Sequence, residues 1–309
     1  MDLLDRLGRA VGRSARRIRT AVARRRHGDA FRYDDAPNPE VVARIDWLRR
    51  RNRTSHEPVV DAASDVTVTM TTFGRRLRTA WTSLEAIADG DVLPGRLVLA
   101  LGPADASRLP ASIRRLQRRG LEVLVVEREQ ELRVHTKWYP VAQTIAGPLV
   151  TSDDDQVYPR EWLADLVRAH AAHPDDVIAH RAHRVGMDDG VLRPYTHWMP
   201  CITTEPSAQH FGTSVSGQLL PLAVVQEATA HGTRFLEVAP TADDVWLHRS
   251  ALAVGASVRQ VGDAPQNYPF VPDTQDGGLY QVNVMGGRND EQIVATYDGL
   301  ALQRLLAGP

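Results

Sequence analysis

"LVTSDDDQVYP", residues 149–159, sets Asp153, Asp154 and Asp155 side by side directly after an apolar run. The run reads as a buried strand, and "YPREWLADLVRAH" behind it reads as a helix starting near Pro159. A strand that ends in three like charges and turns into a helix is one crossover unit of an α/β sheet. Upstream, the same alternation recurs. "DVTVTM" (65–70), "RLVLAL" (96–101) and "LEVLVV" (121–126) are strand-like, and 148–153 is the fourth strand. Between them, 75–88, 111–120 and 136–146 read as helices, and a further helix is expected around Val41–Arg51. Strands separated by helix-length crossovers predict a mostly parallel sheet flanked by helices. In such sheets ligands bind outside the carboxyl ends of the strands, which is where the three aspartates fall.

The 309 residues suit one large domain with appendages or two smaller ones. No apolar stretch approaches a membrane span, and the N-terminus lacks the pattern of a secretory signal, so a cytoplasmic location is expected. A single cysteine, Cys201, allows neither an internal disulfide nor a cysteine metal cage. The net charge of −1 hides an asymmetry. Residues 1–26 hold nine arginines against Asp2 and Asp5, leaving the remainder with 28 basic and 36 acidic residues. Leu4, Leu7, Val11, Ala15, Ile18 and Val22 lay a weak apolar stripe along this basic helical arm. It reads either as an interfacial helix on anionic lipid at the inner face of the membrane or as a solvated basic helix. With no aromatic residue for base stacking, specific nucleic-acid binding is not expected. Three segments follow: an arm and linker over 1–60, a catalytic domain over 61–265, and an extension over 266–309.

Crowded carboxylates repel, and a divalent cation removes the repulsion by supplying the largest local positive charge. Mg2+ or Mn2+ at Asp153–Asp155 is therefore the leading reading, against a solvated acidic turn that caps the following helix. Asp153, Asp155 and Val157 also satisfy the DxDx[TV] pattern of haloacid dehalogenase-like phosphatases. Those enzymes need a lysine downstream, whereas Lys137, the single lysine among 37 basic residues, lies upstream. No GxGxxG follows a strand and no P-loop occurs, which argues against dinucleotide oxidoreductases and P-loop NTPases.

Six segments, "VTMTTFGRRLRTAWTSLEAI", "HTKWYPVAQ", "VTSDDDQVYPREWLADLVRAH", "FGTSVSGQLLP", "PTADDVWLHRSALAVG" and "NVMGGRNDEQI", resemble in content and order the bacterial GT-A fold glycosyltransferases, family 2-like, with their DXD motif. The similarity covers residues 65 to about 297. It implies a GT-A type sheet and a hexosyltransferase-like enzyme of polysaccharide biosynthesis. The donor is a nucleotide sugar, a UDP-sugar first, and the acceptor a glycan or lipid-linked hydroxyl. By this resemblance Asp155 and Asp153 hold the metal, while Thr71, Lys137, Asp153, Asp154 and Trp246 line the donor side. Asp244 or Asp243, at the head of a helix, takes the acceptor proton, and the paired second motif favours inversion. From the residues themselves, Gly212, Ser216 and Gly217 of "GTSVSGQ" read as a flexible acceptor-side loop, with an ordinary surface turn as the alternative, and Trp198 of "YTHWM" reads as a sugar-stacking aromatic or, taken alone, as core packing.

One of Asp243 and Asp244 is equally explained as a helix cap. His180, His183, His197 and His210 show no metal-ligand spacing and read as structural. A further histidine ligand belongs to the resembling pattern, and after Asp244 only His248 stands, one turn along the same helix. Asn283, Asn289 and Asp290 are the substitutes. A non-catalytic nucleotide- or sugar-binding protein is the remaining alternative.

Overall fold

The computed structural model describes residues 38–275 and 283–308, and these belong to one compact unit. The basic arm over 1–26, with its expected membrane contact, lies outside the described residues.

Among the described residues twelve strands follow one another: β1 (Thr67–Thr71), β2 (Arg96–Leu101), β3 (Glu122–Val125), β4 (Leu149–Ser152), β5 (Val177–Ala179), β6 (Ala182–Arg184), β7 (Met187–Asp188), β8 (Val191–Leu192), β9 (Met199–Pro200), β10 (His210–Gly212), β11 (Gln218–Leu220) and β12 (Val258–Gln260). Seven form the central sheet in the order β12-β5-β11-β4-β1-β2-β3. Six of these run parallel and β11 alone is reversed, pairing antiparallel with β4 and β5. The expected mostly parallel sheet is therefore present, with one reversed strand. Eight helices matter here: α1 (Pro39–Thr54), α2 (Trp81–Ala88), α3 (Ala111–Gln117), α4 (Trp162–Ala172), α5 (Leu222–Ala230), α6 (Asp243–Val254), α7 (Arg288–Thr296) and α8 (Gly299–Leu306). None of the described helices is long and apolar enough to cross a membrane.

The sheet owes its core to strands buried on both faces. Val68 and Met70 of β1, Leu97, Leu99 and Leu101 of β2 and Val150 of β4 pack with Leu84, Ile87, Leu163 and Leu166 from helices α2 and α4, and the alternate Val98, Ala100 and Leu149 are shielded from solvent as well. The excursion between β5 and β11 was not foreseen. It folds as a three-stranded antiparallel sheet, β10-β6-β9, with the β7–β8 hairpin. Strands of two or three residues are too short to show an alternation that sequence periodicity could detect.

Two expected helices are broken where the chain approaches the site. The 75–88 segment divides into a 3-10 turn, Gly74–Arg78, and α2. Gly74 makes this possible at φ +57°, donating its N–H to Asp105 Oδ2 at 2.7 Å. The 136–146 segment is a 3-10 turn, Arg133–Lys137, followed by one α-turn at Tyr139–Ala142. Pro140 lacks an N–H and is accommodated only in a first turn.

Helix α1, grouped with the arm by the sequence, is bonded to the sheet domain through a buried charge. Glu85 of α2 is fully buried and accepts from Arg51, from Asn52 Nδ2 at 2.9 Å and from Arg119 Nη1 at 2.9 Å. Removing the carboxylate would take away the buried counter-charge of Arg119 and leave Arg51 with Glu57 and Asp89 alone. Glu85→Ala is expected to cost roughly 3–5 kcal/mol in urea unfolding. Removing the exposed Arg128–Glu131 pair by Arg128→Ala should leave the urea midpoint nearly unchanged. Equal losses would contradict the assignment of α1 docking to Glu85.

Candidate functional site

Register decides which groups meet. β1 and β4 run parallel with Met70 opposite Ser152, so the chain leaving β1 runs beside the chain leaving β4. Thr72 there donates its hydroxyl to Asp154. Asp153 is held from below by Tyr158, whose Oη accepts the Asp153 N–H at 2.8 Å. The aspartates thus project from the carboxyl end of the central strands, as expected.

The second acidic motif comes to the same place. Lys137 Nζ lies 2.7 Å from Asp153 Oδ1 and 3.4 Å from Asp243 Oδ2, so the single lysine bridges both motifs. Burial works against its charge, yet Asp153 first, then Asp243 and Asp244, raise its pKa and keep it protonated. His135 fastens this corner. Its Nδ1 accepts from Trp138 Nε1 at 3.0 Å, so Nε2 carries the proton donated to Ala239 O at 2.8 Å. Burial holds this imidazole down to about 4, and it stays neutral.

Arg76, on the 3-10 turn after β1, reaches the other two aspartates. It pairs with Asp154 and, at 2.5 Å, with Asp155 Oδ2. Asp155 Oδ2 also accepts from Gln275 Nε2 at 2.7 Å. Burial pushes the Asp155 carboxyl up to about 7, with Asp154 and Asp153 adding to the shift and Arg76 opposing it. Asp154 is raised as well, again by burial against Arg76 and Thr72. Five carboxylates thus share two cations, Arg76 and Lys137.

Among the described residues no three histidine, cysteine, aspartate or glutamate side chains form a ready-made metal cage. The donor set nevertheless suits Mg2+ or Mn2+. Such ions bind through one or two carboxylates and fill the rest of the shell with water and phosphate. Asp153 and Asp155 offer hard oxygens within a cluster that Lys137 and Arg76 compensate only in part.

Asp244 is arranged differently from Asp243. Its Oδ1 accepts from Ser214 N at 2.8 Å, Ser214 Oγ at 2.5 Å and Gln218 Nε2 at 3.3 Å. Burial, then the Asp243 charge, lifts its carboxyl to about 7, against Lys137 and the Ser214 bonds. A carboxyl titrating there is suited to take a proton near neutrality.

Ser214 belongs to "GTSVSGQ", and here the expectation of a flexible acceptor-side loop is corrected. Thr213, Ser214 and Ser216 are buried, and Ser216 bonds Gln156 Oε1 through its N–H at 3.1 Å and Gln266 O through its hydroxyl at 2.7 Å. Gly217 sits at φ +95°, where a Cβ would meet the Trp162 indole at 2.6 Å. Gly212 is as tightly packed, with Gln218 Oε1 2.9 Å from where its Cβ would be. The segment is a rigid turn that delivers Ser214 to Asp244.

The two tryptophans do not join the cluster. Trp246 is buried beneath α5 and donates to Ala228 O at 3.0 Å, and Trp198 is buried in the excursion and donates to Arg193 O at 3.0 Å. Both fill core. Thr71 stands at the end of β1, its hydroxyl turned to Ala100 O at 2.9 Å. His248 pairs with Tyr297 Oη at 2.6 Å and packs on Phe211. Asn283 bonds Thr241, and Asp290 accepts from Tyr195 N at 2.6 Å, so these substitutes for a histidine ligand are engaged in packing the C-terminal segment. Buried Asn289 has no side-chain contact with the cluster among the described bonds.

Thr72, Arg76, Ser214, Gln218 and Gln275 were missed as partners. Arg76 had one usable signal, since "FGRRLR" crowds arginines immediately after a strand whose end faces the aspartates. Nothing local marks Gln275, 120 residues from its partner.

The raised Asp244 carboxyl has a stability consequence. The unfolded carboxyl ionises near pH 4 and the folded one near 7, so stability is lost as pH rises between these values and the loss is complete above 7. Asp244→Asn keeps the Oδ1 acceptor and removes the charge. At pH 8 it should raise Tm by on the order of 2–4 °C or more, with the gain shrinking towards pH 4. A Tm difference independent of pH would contradict this.

No family model matches the chain, and no curated protein matches it by sequence. Solved structures do. The mannosyltransferase PcManGT from Pyrobaculum calidifontis, in complex with GDP-Man and Mn2+, aligns over 87% of this chain and 77% of its own at 15% identity, with a TM-score of 0.53. TarS of S. aureus, in complex with UDP, aligns over 66% of this chain at 13% identity with a TM-score of 0.45, and the chain spans 59% of that TarS chain. What the reversed β11 in an otherwise parallel sheet and the mannosyltransferase likeness establish together is the fold, which is of the GT-A type.

Proposed function

We propose that the protein is a glycosyltransferase that moves a sugar from a nucleotide-sugar donor to a hydroxyl of a glycan or lipid-linked acceptor, with inversion. The observation that carries the reading is the Lys137 bridge. It unites an acidic strand end and an acidic helix start, 90 residues apart in sequence, at the carboxyl edge of a GT-A type sheet. The fold shared with a mannosyltransferase that binds GDP-Man and Mn2+ supports it.

Asp155 and Asp153 would hold Mn2+ or Mg2+, which when bound neutralises the leaving diphosphate. The remaining work belongs to the chain. Lys137 fixes Asp153 towards the donor and sets its distance to Asp243. Ser214 and Gln218 bind Oδ1 of Asp244 and so orient the carboxylate, leaving Oδ2 for the acceptor hydroxyl proton. Burial and Asp243 keep that base from ionising until near neutral pH. The haloacid dehalogenase-like alternative gains a lysine beside Asp153 in space, but the fold favours the transferase.

Thermal-shift screening of UDP-, GDP- and TDP-sugars with and without Mn2+ tests the reading. At least one donor should stabilise the protein, more so with metal, and transfer should release a nucleoside diphosphate and no pyrophosphate. Asp244→Asn should keep donor binding and lower turnover by about 10²–10⁴-fold. An Asp244→Asn enzyme with wild-type turnover would remove Asp244 from the base role. Release of pyrophosphate would make the protein a nucleotidyltransferase instead.

A further inference from the structure

Arg76 is placed unusually for a structural arginine. Its guanidinium enters the carboxylate cluster on the 3-10 turn that replaces the start of an expected helix, and it pairs with both Asp154 and Asp155. A single Nη2 serves both carboxylates, whereas Nε, although buried, has no hydrogen-bond partner. A buried guanidinium N–H without an acceptor is unfavourable, so this pose does not satisfy the side chain. The side chain also keeps an outlet, at 21% relative exposure. Its two partners do not depend on it equally. Asp154 has the Thr72 hydroxyl as well, while the other described partner of Asp155 is the neutral amide of Gln275.

We propose that Arg76 is the resident counter-ion of this site: it gives up Asp155 when a divalent cation binds there, and its freed fork then takes a phosphate group of the ligand. Two cations on one carboxylate oxygen would repel, so arrival of the metal drives the guanidinium off Asp155. The freed fork has planar N–H donors, now including Nε, matched to phosphate oxygens. No bond is made or broken, and only ion pairs exchange. The metal-exchange half stands without the transferase reading, and the phosphate half rests on it.

The test measures Mn2+ alone and then nucleoside diphosphate, using the full chain and Arg76→Gln. Isothermal titration with Mn2+ in the absence of nucleotide should show the variant binding tighter by about tenfold or more, because the competitor is gone. With Mn2+ saturating, UDP or GDP should bind the same variant about tenfold more weakly than wild type. Loss of a merely structural arginine would weaken both. Should Arg76→Gln prove unstable without metal, its Tm rise on adding Mn2+ must exceed that of wild type, and Arg76→Lys should fall between the two. Unchanged or weaker Mn2+ binding by Arg76→Gln overturns the proposal. Tighter Mn2+ binding with no nucleoside-diphosphate binding by either protein upholds the exchange and sinks the transferase reading.

Discussion

Repulsion among five carboxylates at the edge of one sheet is the constraint around which the rest of the structure is arranged. Asp153, Asp154 and Asp155 cannot separate, because they are consecutive at the end of β4, and Asp243 and Asp244 open α6 beside them. Lys137 compensates one pair and Arg76 the other. Burial first, and the neighbouring carboxylates second, then leave Asp155 and Asp244 titrating near neutral pH rather than near 4. A cluster of this kind lowers the stability of the folded chain, and such a cost is expected where charge has to be ready for a ligand.

Rigid surroundings are what make the crowding sustainable. The first motif rests on Tyr158 and on the parallel register of β1 and β4, and the second on Ser214 and on the ties of Thr241 to Asn283 and Gln292. The turn bearing Ser214 cannot relax, since Gly217 is pressed against Trp162 and Ser216 is bonded on two sides. Trp198 and Trp246, which the sequence reading set beside ligands, serve together with Trp162 as packing against which polar groups are aimed. Their indole N–H groups are satisfied by backbone carbonyls at Ser216, Ala228 and Arg193.

Legibility in the sequence followed the range of the interaction. β2 could be read to the residue, and β1, β3 and β4 nearly so, because buried β2 writes a continuous apolar run and the other three are rich in β-branched and apolar residues, β3 even though it is only half-buried at the sheet edge. The short strands of the excursion and the reversed β11 left no such trace, since two or three residues carry no period. The segments 75–88 and 136–146 were read as continuous helices because their apolar spacing is helical. What interrupts them is Gly74 at positive φ and Pro140, whose consequences depend on the neighbouring elements. Within the site, Asp153–Asp155, Lys137 and Asp243–Asp244 were legible as charged residues out of keeping with their surroundings. Ser214, Gln218 and Gln275 are ordinary polar residues until the fold brings them against a carboxylate.

The sequence by itself determined the α/β class, the parallel core strands and the identity of the charged groups, because these follow from local apolar periodicity and from residue type. Only the tertiary structure decided which charges meet. Lys137 could have faced solvent, and Arg76 could have been one of many surface arginines. The β1–β4 register and the approach of α6 set each within reach of two aspartates. Pairing energies depend on distance and on exclusion of water, and neither quantity exists in a chain until it is folded.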